Sequence, residues 1–309
     1  MKLISIVTPT YNEQDNVEEI YSRVKKVLAG LPHYSHEHIF IDNASTDRTL
    51  EMLKSLAQKD KSVKIIVNAR NFGHIRSPFY GLLQAKGDAV VFLAADLQDP
   101  PELIADFIRK WEEGSKIVAG VKKKSREFPP MFAVRKLFYN LIGGLSEVKQ
   151  IPNFMGFGLY DRRVIEILRE IDDPYPYFRG LICDIGFDVA EIEYVQSRRE
   201  RGSTKNNFYT LYDMAMLGIT NHSKVPLRLA TMLGFIISVI CILVAIGYFI
   251  YKLIFWERFD VGMAPLVIGF FFFAAVQLFF IGMLGEYIGA IHTQVLRRPL
   301  VIEKERINF

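Results

Sequence analysis

Apolar and polar positions divide the chain into two regimes. Over the first two thirds the apolar residues come in short runs. A β-rich run at 4–9 precedes a segment with helical spacing at 15–28. A second run at 38–41 precedes residues 45–60, which open on the capping-type triplet Ser45, Thr46 and Asp47. A third run covers 63–68, and the turn at Gly87-Asp88 leads into the continuous apolar run 89–95. Strands that alternate with helices predict an α/β domain with a mostly parallel sheet and helices on both faces. Further along, Asp161 is placed to cap a helix over 162–171.

The last third reads differently. Residues 229–251 and 263–285 are each 23 residues long without Asp, Glu, Lys or Arg. A bilayer core about 30 Å thick needs roughly 20 apolar helical residues, so both predict membrane spans. A core helix of a soluble domain would be shorter and would keep a polar face. Residues 206–228 alternate polar and apolar positions at helical spacing and predict an amphipathic segment at the membrane surface. The organisation expected is therefore an α/β domain at 1–205, a juxtamembrane segment at 206–228, a two-helix hairpin at 229–289 and a tail at 290–309, which the charge bias below places in the cytoplasm.

Composition refines this picture. The 309 residues are 50% hydrophobic and 23% charged, which excludes a disordered or fibrous chain. The mean hydropathy of +0.15 is high for a soluble enzyme, and the two apolar spans are its source. The net charge of +4 is spread evenly over the domain and the remainder, so no basic field points to nucleic acid. Cys183 and Cys241 offer neither a disulfide framework nor a CxxC metal site. The N-terminal apolar run lacks a cleavage pattern and reads as a strand. Six basic residues flank the spans outside (Lys224, Arg228, Arg297, Arg298, Lys304, Arg306), against Lys252 and Arg258 in the intervening loop. The positive-inside rule then predicts both termini in the cytoplasm.

Candidate chemistry sits where the predicted strands end. In parallel sheets ligands bind beyond the carboxyl ends of the strands. Asp42 there can accept a hydrogen bond from a nucleobase edge. Asp96, with Gln98 and Asp99 behind it, offers oxygen ligands to Mg²⁺ or Mn²⁺ shared with substrate phosphates. The stretch Asp99-Pro100-Pro101-Glu102 also suits a helix start.

At these residues the sequence resembles family-2 glycosyltransferases with the GT-A fold. The motifs are Thr8-Pro9-Thr10-Tyr11-Asn12-Glu13, the run Ile41 to Thr49 containing Asp42, and Ala95-Asp96-Leu97-Gln98-Asp99-Pro100-Pro101-Glu102. Gly186-Phe187, Arg199, the stretch from Gly202 to Lys205, Gly218-Ile219-Thr220, Pro226-Leu227-Arg228 and Gly285-Glu286-Tyr287-Ile288-Gly289 resemble the polyisoprenyl-phosphate glycosyltransferases more narrowly. That resemblance covers essentially the whole chain. It implies inverting transfer of a sugar from a UDP- or GDP-sugar to a polyprenyl phosphate of the membrane. Pro9, Tyr11, Glu13, Asp42, Asn71 and Asp96 would bind the nucleotide sugar, and Asp96 and Gln98 would hold the metal. Lys122, Arg126, Arg135, Arg199 and Lys205 would bind the acceptor phosphate. Asp96, Arg135, Arg199 and Lys205 form the implied catalytic set. His74 lies where the family has a loop over the diphosphate. A homo-oligomer, a separate flippase and a downstream glycosyltransferase are further partners compatible with this reading.

Three positions depart from the family pattern. Ala94 stands where an Asp usually precedes Asp96, leaving Asp99 or Glu102 as substitutes. Gly156 stands where an Asp has been proposed as base, and Gln196 where an Arg is common. These departures leave a second reading open, a catalytically impaired membrane protein that binds nucleotide sugars and serves as a scaffold or regulator.

Overall fold

The computed structural model describes residues 1–123, 151–197, 216–218, 220, 223–255 and 263–309. The expected alternation is present: β1 (Lys2–Thr10), α1 (Val17–Ala29), β2 (Tyr34–Asp42), α2 (Thr49–Lys59), β3 (Val63–Asn68), α3 (Gly73–Gln84) and β4 (Ala89–Phe92). A single 3-10 turn at Pro101–Leu103 leads into α4 (Ile104–Glu112) and β5 (Ile117–Lys122). Then come β6 (Phe154–Asp161), α5 (Arg162–Ile171), α6 (Phe178–Asp184) and β7 (Val189–Tyr194). Two long helices, α7 (Val225–Ile254) and α8 (Met263–Leu296), precede the last strand, β8 (Glu303–Ile307).

The eight strands form one sheet in the order β7-β5-β6-β4-β1-β2-β3-β8. Pairings among β1, β2, β3 and β4 are parallel, as is β5 with β7. β6 and β8 run antiparallel to their neighbours. The two-residue period of the strands sorts the core into two layers. Ile4, Ile6, Phe40, Ile65 and Val91 face α1, α2 and α4, whose buried stripes include Val17, Ile20 and Val24, and Ile104, Phe107 and Trp111. Val7, Ile39, Ile41, Ile66 and Val90 face the opposite way, against Phe79 and Leu82 of α3 and Val164, Ile165 and Leu168 of α5. β5 and β6 approach so closely that a Cβ at Gly158 would lie 2.4 Å from the Val118 carbonyl oxygen, which only glycine allows.

Several boundaries differ from the sequence reading for physical reasons. The second helix starts at Thr49 rather than Ser45, because residues 45–48 bond across to another loop. The apolar run 89–95 is strand only to Phe92; Leu93 still donates its N–H to the Val7 carbonyl before the chain bends away. Asp161 caps α5 as expected, accepting from the Arg163 N–H at 3.0 Å. Of the segment at 290–309, set apart as a tail, residues 290–296 continue α8 and 303–307 return to the sheet. β8 pairs with β3, Tyr80 donates to Glu303 at 2.8 Å, and Asn308 donates to the carbonyls of Ala57 and Val63 at 2.8 Å each. Its polar composition concealed this, since an edge strand is solvated on one side.

α7 and α8 are long and apolar enough to cross a membrane, with mean hydropathy 2.8 over Val225–Tyr251 and 2.4 over Leu266–Leu296. Their large apolar side chains are exposed along nearly the whole length, which no soluble core helix tolerates. α7 begins earlier than the predicted span, with Pro226 in its first turn. The base of α8 is tied down: Tyr287 donates to the Ser223 carbonyl at 2.7 Å and Gln294 donates to Asp173 at 2.8 Å.

Candidate active site

The carboxyl ends of the parallel strands converge on one edge of the sheet. Three loops there turn through residues in the left-handed region, Asn12 (φ 54°), Ala44 (φ 60°) and Leu97 (φ 57°). Such conformations cost energy for residues with a side chain and persist where the surroundings enforce them. Here the enforcement is reciprocal hydrogen bonding between the loops after β1 and β2. The Asn12 N–H donates to Ser45 Oγ at 2.9 Å, and Asn12 Oδ1 accepts from the Thr46 N–H at 2.8 Å. The Glu13 N–H donates to Thr49 Oγ1 at 2.8 Å, and Gln14 Oε1 accepts from the Arg48 N–H at 3.1 Å. The polar residues of the two sequence motifs thus bind each other and fix the shape of this edge.

Asp42, the last residue of β2, is fully buried. Its Oδ2 accepts from the Ser45 N–H at 3.1 Å, while Oδ1 has no partner among the described residues. Burial raises its pKa above the usual carboxylate value, and the nearby Asp47 charge adds to this against the opposing Ser45 bonds. An orphaned carboxylate oxygen inside the fold is costly unless a ligand donor meets it. Pro9 and Tyr11 lie beside it, since Pro9 pairs with Ile41 and Thr10 with Asp42 in the ladder.

The neighbouring loop is organised by a residue the sequence reading assigned no role. Asn43 Oδ1 accepts from Asn68 Nδ2 at 3.0 Å and from the Phe72 N–H at 2.9 Å. Its amide donates to Asn71 Oδ1 at 2.9 Å and to the Gly73 carbonyl at 3.1 Å. Asn71, an exposed residue, is therefore a clasp through its carbonyl oxygen, which also accepts from the Gly73 N–H at 2.8 Å. The signal was an amide next to the strand-end acid, which only a side chain reaching the adjacent strand could use.

Beyond β4, Asp96 Oδ1 accepts from the Gln98 N–H at 3.2 Å. The Gln98 backbone carbonyl accepts from the Ser197 N–H at 3.1 Å, joining this loop to the end of β7. Tyr194, also unassigned from sequence, donates its hydroxyl to buried Asp99. Burial holds the Asp99 carboxyl above its usual pKa, the Tyr194 bond and the Lys122 charge oppose that, and Asp96 adds to it. Lys122, at the end of β5, thus acts on the same acidic edge. Arg126, Arg135, Arg199 and Lys205 lie outside the described residues, so their predicted roles stand as expectations.

A family description, Glycosyl transferase family 2, fits residues 5–169, the span that holds this edge. The chain belongs to glycosyl transferase family 2. Among its relatives, an uncharacterized glycosyltransferase of Synechocystis is 35% identical, over 97% of this chain and 94% of that one. A prophage-derived bactoprenol glucosyl transferase of Shigella flexneri is 33% identical over 98% and 97%. The solved structure of glucosyl-3-phosphoglycerate synthase from Mycobacterium tuberculosis is 21% identical with a TM-score of 0.49, over 71% of this chain and 76% of that one. The GT-A assignment made from the motifs agrees with this membership and with the mixed, mostly parallel sheet.

The departures of this glycosyltransferase from the family pattern now have structural content. Glu102 is engaged away from a metal, both its oxygens accepting from Arg23, at 2.9 and 2.7 Å. Asp99 is turned into the fold to meet Tyr194. Gly156 has φ 101°, and a Cβ there would stand 3.5 Å from the Phe178 ring and 3.6 Å from Phe92. An aspartate would be strained at this backbone, so no base is expected at that point. Among the described residues no group of three metal-ligating side chains exists. The donor set at Asp96 and Gln98 instead fits a hard cation that takes one protein carboxylate and completes its shell with substrate phosphates and water.

Proposed function

We propose that this glycosyltransferase moves a sugar from a UDP- or GDP-sugar to a polyprenyl phosphate at the cytoplasmic face of a membrane, with inversion at the anomeric carbon. The observation that carries the reading is the match to a bactoprenol glucosyl transferase over 98% of this chain, through both long apolar helices. Exposed apolar surface on α7 and α8 supports a membrane-embedded anchor, and the six basic flanking residues against two in the loop support cytoplasmic termini.

Each part of the edge has a task in such a reaction. Asp42 receives a nucleobase donor on its unpartnered oxygen, and Pro9, Tyr11 and Glu13 line the nucleoside. Asn71 presents its amide to the donor from the clasped loop. Asp96 and Gln98 would hold Mg²⁺ or Mn²⁺, which neutralises charge on the departing diphosphate when bound. A phosphate-monoester acceptor is already anionic at neutral pH, so its oxygen attacks C1 without losing a proton to the protein as the C1–diphosphate bond breaks. The glycine at 156 is compatible with that economy. What the acceptor needs is positive charge against the donor's repulsion, from Lys122 together with Arg126, Arg135, Arg199 and Lys205.

The test is transfer in liposomes containing polyprenyl phosphate, with Mg²⁺ or Mn²⁺ and a panel of radiolabelled UDP- and GDP-sugars. The expected result is a lipid-linked product from one donor that disappears in Asp96→Ala. Intact nucleotide binding with no product from any donor would overturn the reading in favour of a non-catalytic nucleotide-sugar-binding protein.

A further inference from the structure

We propose that a cavity of about 270 Å³ on the active edge holds the phosphate-proximal isoprene units of the acceptor, with Arg179 at its rim gripping the acceptor phosphate. The proposal rests on the polyprenyl-phosphate reading and adds where, on this chain, that lipid is recognised.

The cavity opens beside the residues that close the strands. Its walls come from the first turns of α3 (Ile75, Pro78), the end of β4 (Phe92), the start of β6 (Met155) and the start of α6 (Phe178). Phe178 is the centre of the lining: its ring lies 6.1 Å from Phe79, 6.2 Å from Phe92 and 5.2 Å from Tyr160. Gly156 puts no side chain against the Phe178 and Phe92 rings, and His74 joins Arg179 and Tyr177 as the polar members of an otherwise apolar lining. At this size, near the low end of the roughly 300–1,000 Å³ usual for ligand sites, it takes part of a long lipid and not the whole.

The rim supplies the complementary charge. Among the described residues the contacts of Arg179 are soft ones, to the Met155 sulfur at 3.4 Å and the Tyr177 ring at 5.3 Å. Among the described residues no ion pair neutralises it. A guanidinium without a carboxylate, poised over an apolar cavity, matches an amphiphile with an anionic head and a hydrocarbon body. The exit also points the right way. Leu217 borders both this cavity and a groove along α8 floored by Gly282, Gly285 and Gly289, so the rest of the chain can continue toward the apolar helices.

The test uses the full-length protein in detergent with polyprenyl phosphate. Arg179→Gln is expected to raise the acceptor KM on the order of tenfold, the loss of one charge-assisted contact, with the donor KM unchanged. Arg179→Lys is expected to restore part of the loss. Ile75→Trp, which fills the cavity without touching charge, is expected to raise the acceptor KM likewise, and a cooperative thermal melt at the parent's temperature verifies that each variant is folded. Unchanged acceptor KM in folded Arg179→Gln and Ile75→Trp overturns the proposal. A second readout does not depend on turnover. A benzophenone-bearing farnesyl phosphate should label the peptides containing Met155 or Phe178, with polyprenyl phosphate competing the label away. Labelling confined to α7 and α8 while transfer proceeds would sink the cavity assignment alone. Competed labelling at Met155 or Phe178 without product from any donor would uphold the cavity and sink the transferase reading.

Discussion

Asp42 is buried where water does not reach it, and ionising a carboxyl there is a cost the free protein carries. Its folded pKa is raised, so the folded state binds the proton more tightly than the unfolded chain. Stability contributed at this site therefore falls as pH rises from the unfolded value of about 3.9, and the deficit persists at neutral pH. Asp42→Asn is expected to raise the melting temperature at pH 7, with the gain vanishing in melts below about pH 3.9. The same variant should weaken binding of the donor nucleotide, UDP or GDP, by roughly tenfold or more, the worth of one charge-assisted hydrogen bond, as calorimetry would show. A variant that is both more stable and fully able to bind would refute the role. Glu102 gives the opposite case. Its partner Arg23 is one-third exposed, so Glu102→Gln is expected to cost at most about 1 kcal/mol. The Mn²⁺ dependence of transfer should be unchanged; a shifted dependence would restore Glu102 as a ligand. Sequence offered Glu102 as a substitute for the acid missing at Ala94, and the side-chain direction seen in the fold sets it against Arg23 instead.

Among elements, β2 joins β1 on one side to β3 on the other. Its Glu37, nearly buried, accepts from Ser5 of β1 at 2.5 Å, from Lys64 of β3 at 2.5 Å and from the Lys86 N–H before β4 at 3.0 Å. Burial alone would raise the Glu37 pKa, but these bonds from Lys64, Ser5 and Lys86 outweigh it and hold the carboxyl below its usual value. The stabilisation is then complete above the unfolded pKa of about 4.3 and is lost as pH falls through the lower folded value. Glu37→Gln is expected to cost about 3 kcal/mol near neutral pH, since it leaves Lys64 half-buried without its counter-charge. Denaturant melts across pH should show the gap to the parent closing in acid. The alternation of β2 was readable only at 38–41, because Ser35, His36 and Glu37 look like loop residues until their partners on both sides are known.

At the scale of the molecule, the C-terminal strand fastens the long helices to the catalytic sheet. After α8 the chain passes Pro299, whose carbonyl accepts from Arg76, and then adds β8 to the free edge of β3. Lys54 pairs with Glu305 at 2.6 Å and Arg306 donates to Gln84 at 3.0 Å, so both helical layers grip the strand. Removing residues 303–309 is expected to expose the β3 edge, lower the melting temperature by on the order of 5 °C and promote aggregation, which scattering during a thermal ramp would detect. A truncated protein that melts like the parent would show that the helix contacts at Tyr287 and Gln294 suffice.

What the sequence determined by itself was whatever depends on local pattern. The two apolar spans, the alternation of strands and helices, and acids at the strand ends are all properties of short windows, because periodicity and side-chain chemistry act over a few residues. The tertiary structure alone decided which of those acids face a ligand and which face the fold. It turned Glu102 to Arg23, sent Asp99 to Tyr194 and left one oxygen of Asp42 unpartnered. It also placed a polar tail in the sheet and an arginine from α6 beside the end of β4. Those outcomes depend on contacts between residues far apart in the chain, and no local pattern encodes the direction in which a side chain meets a distant partner.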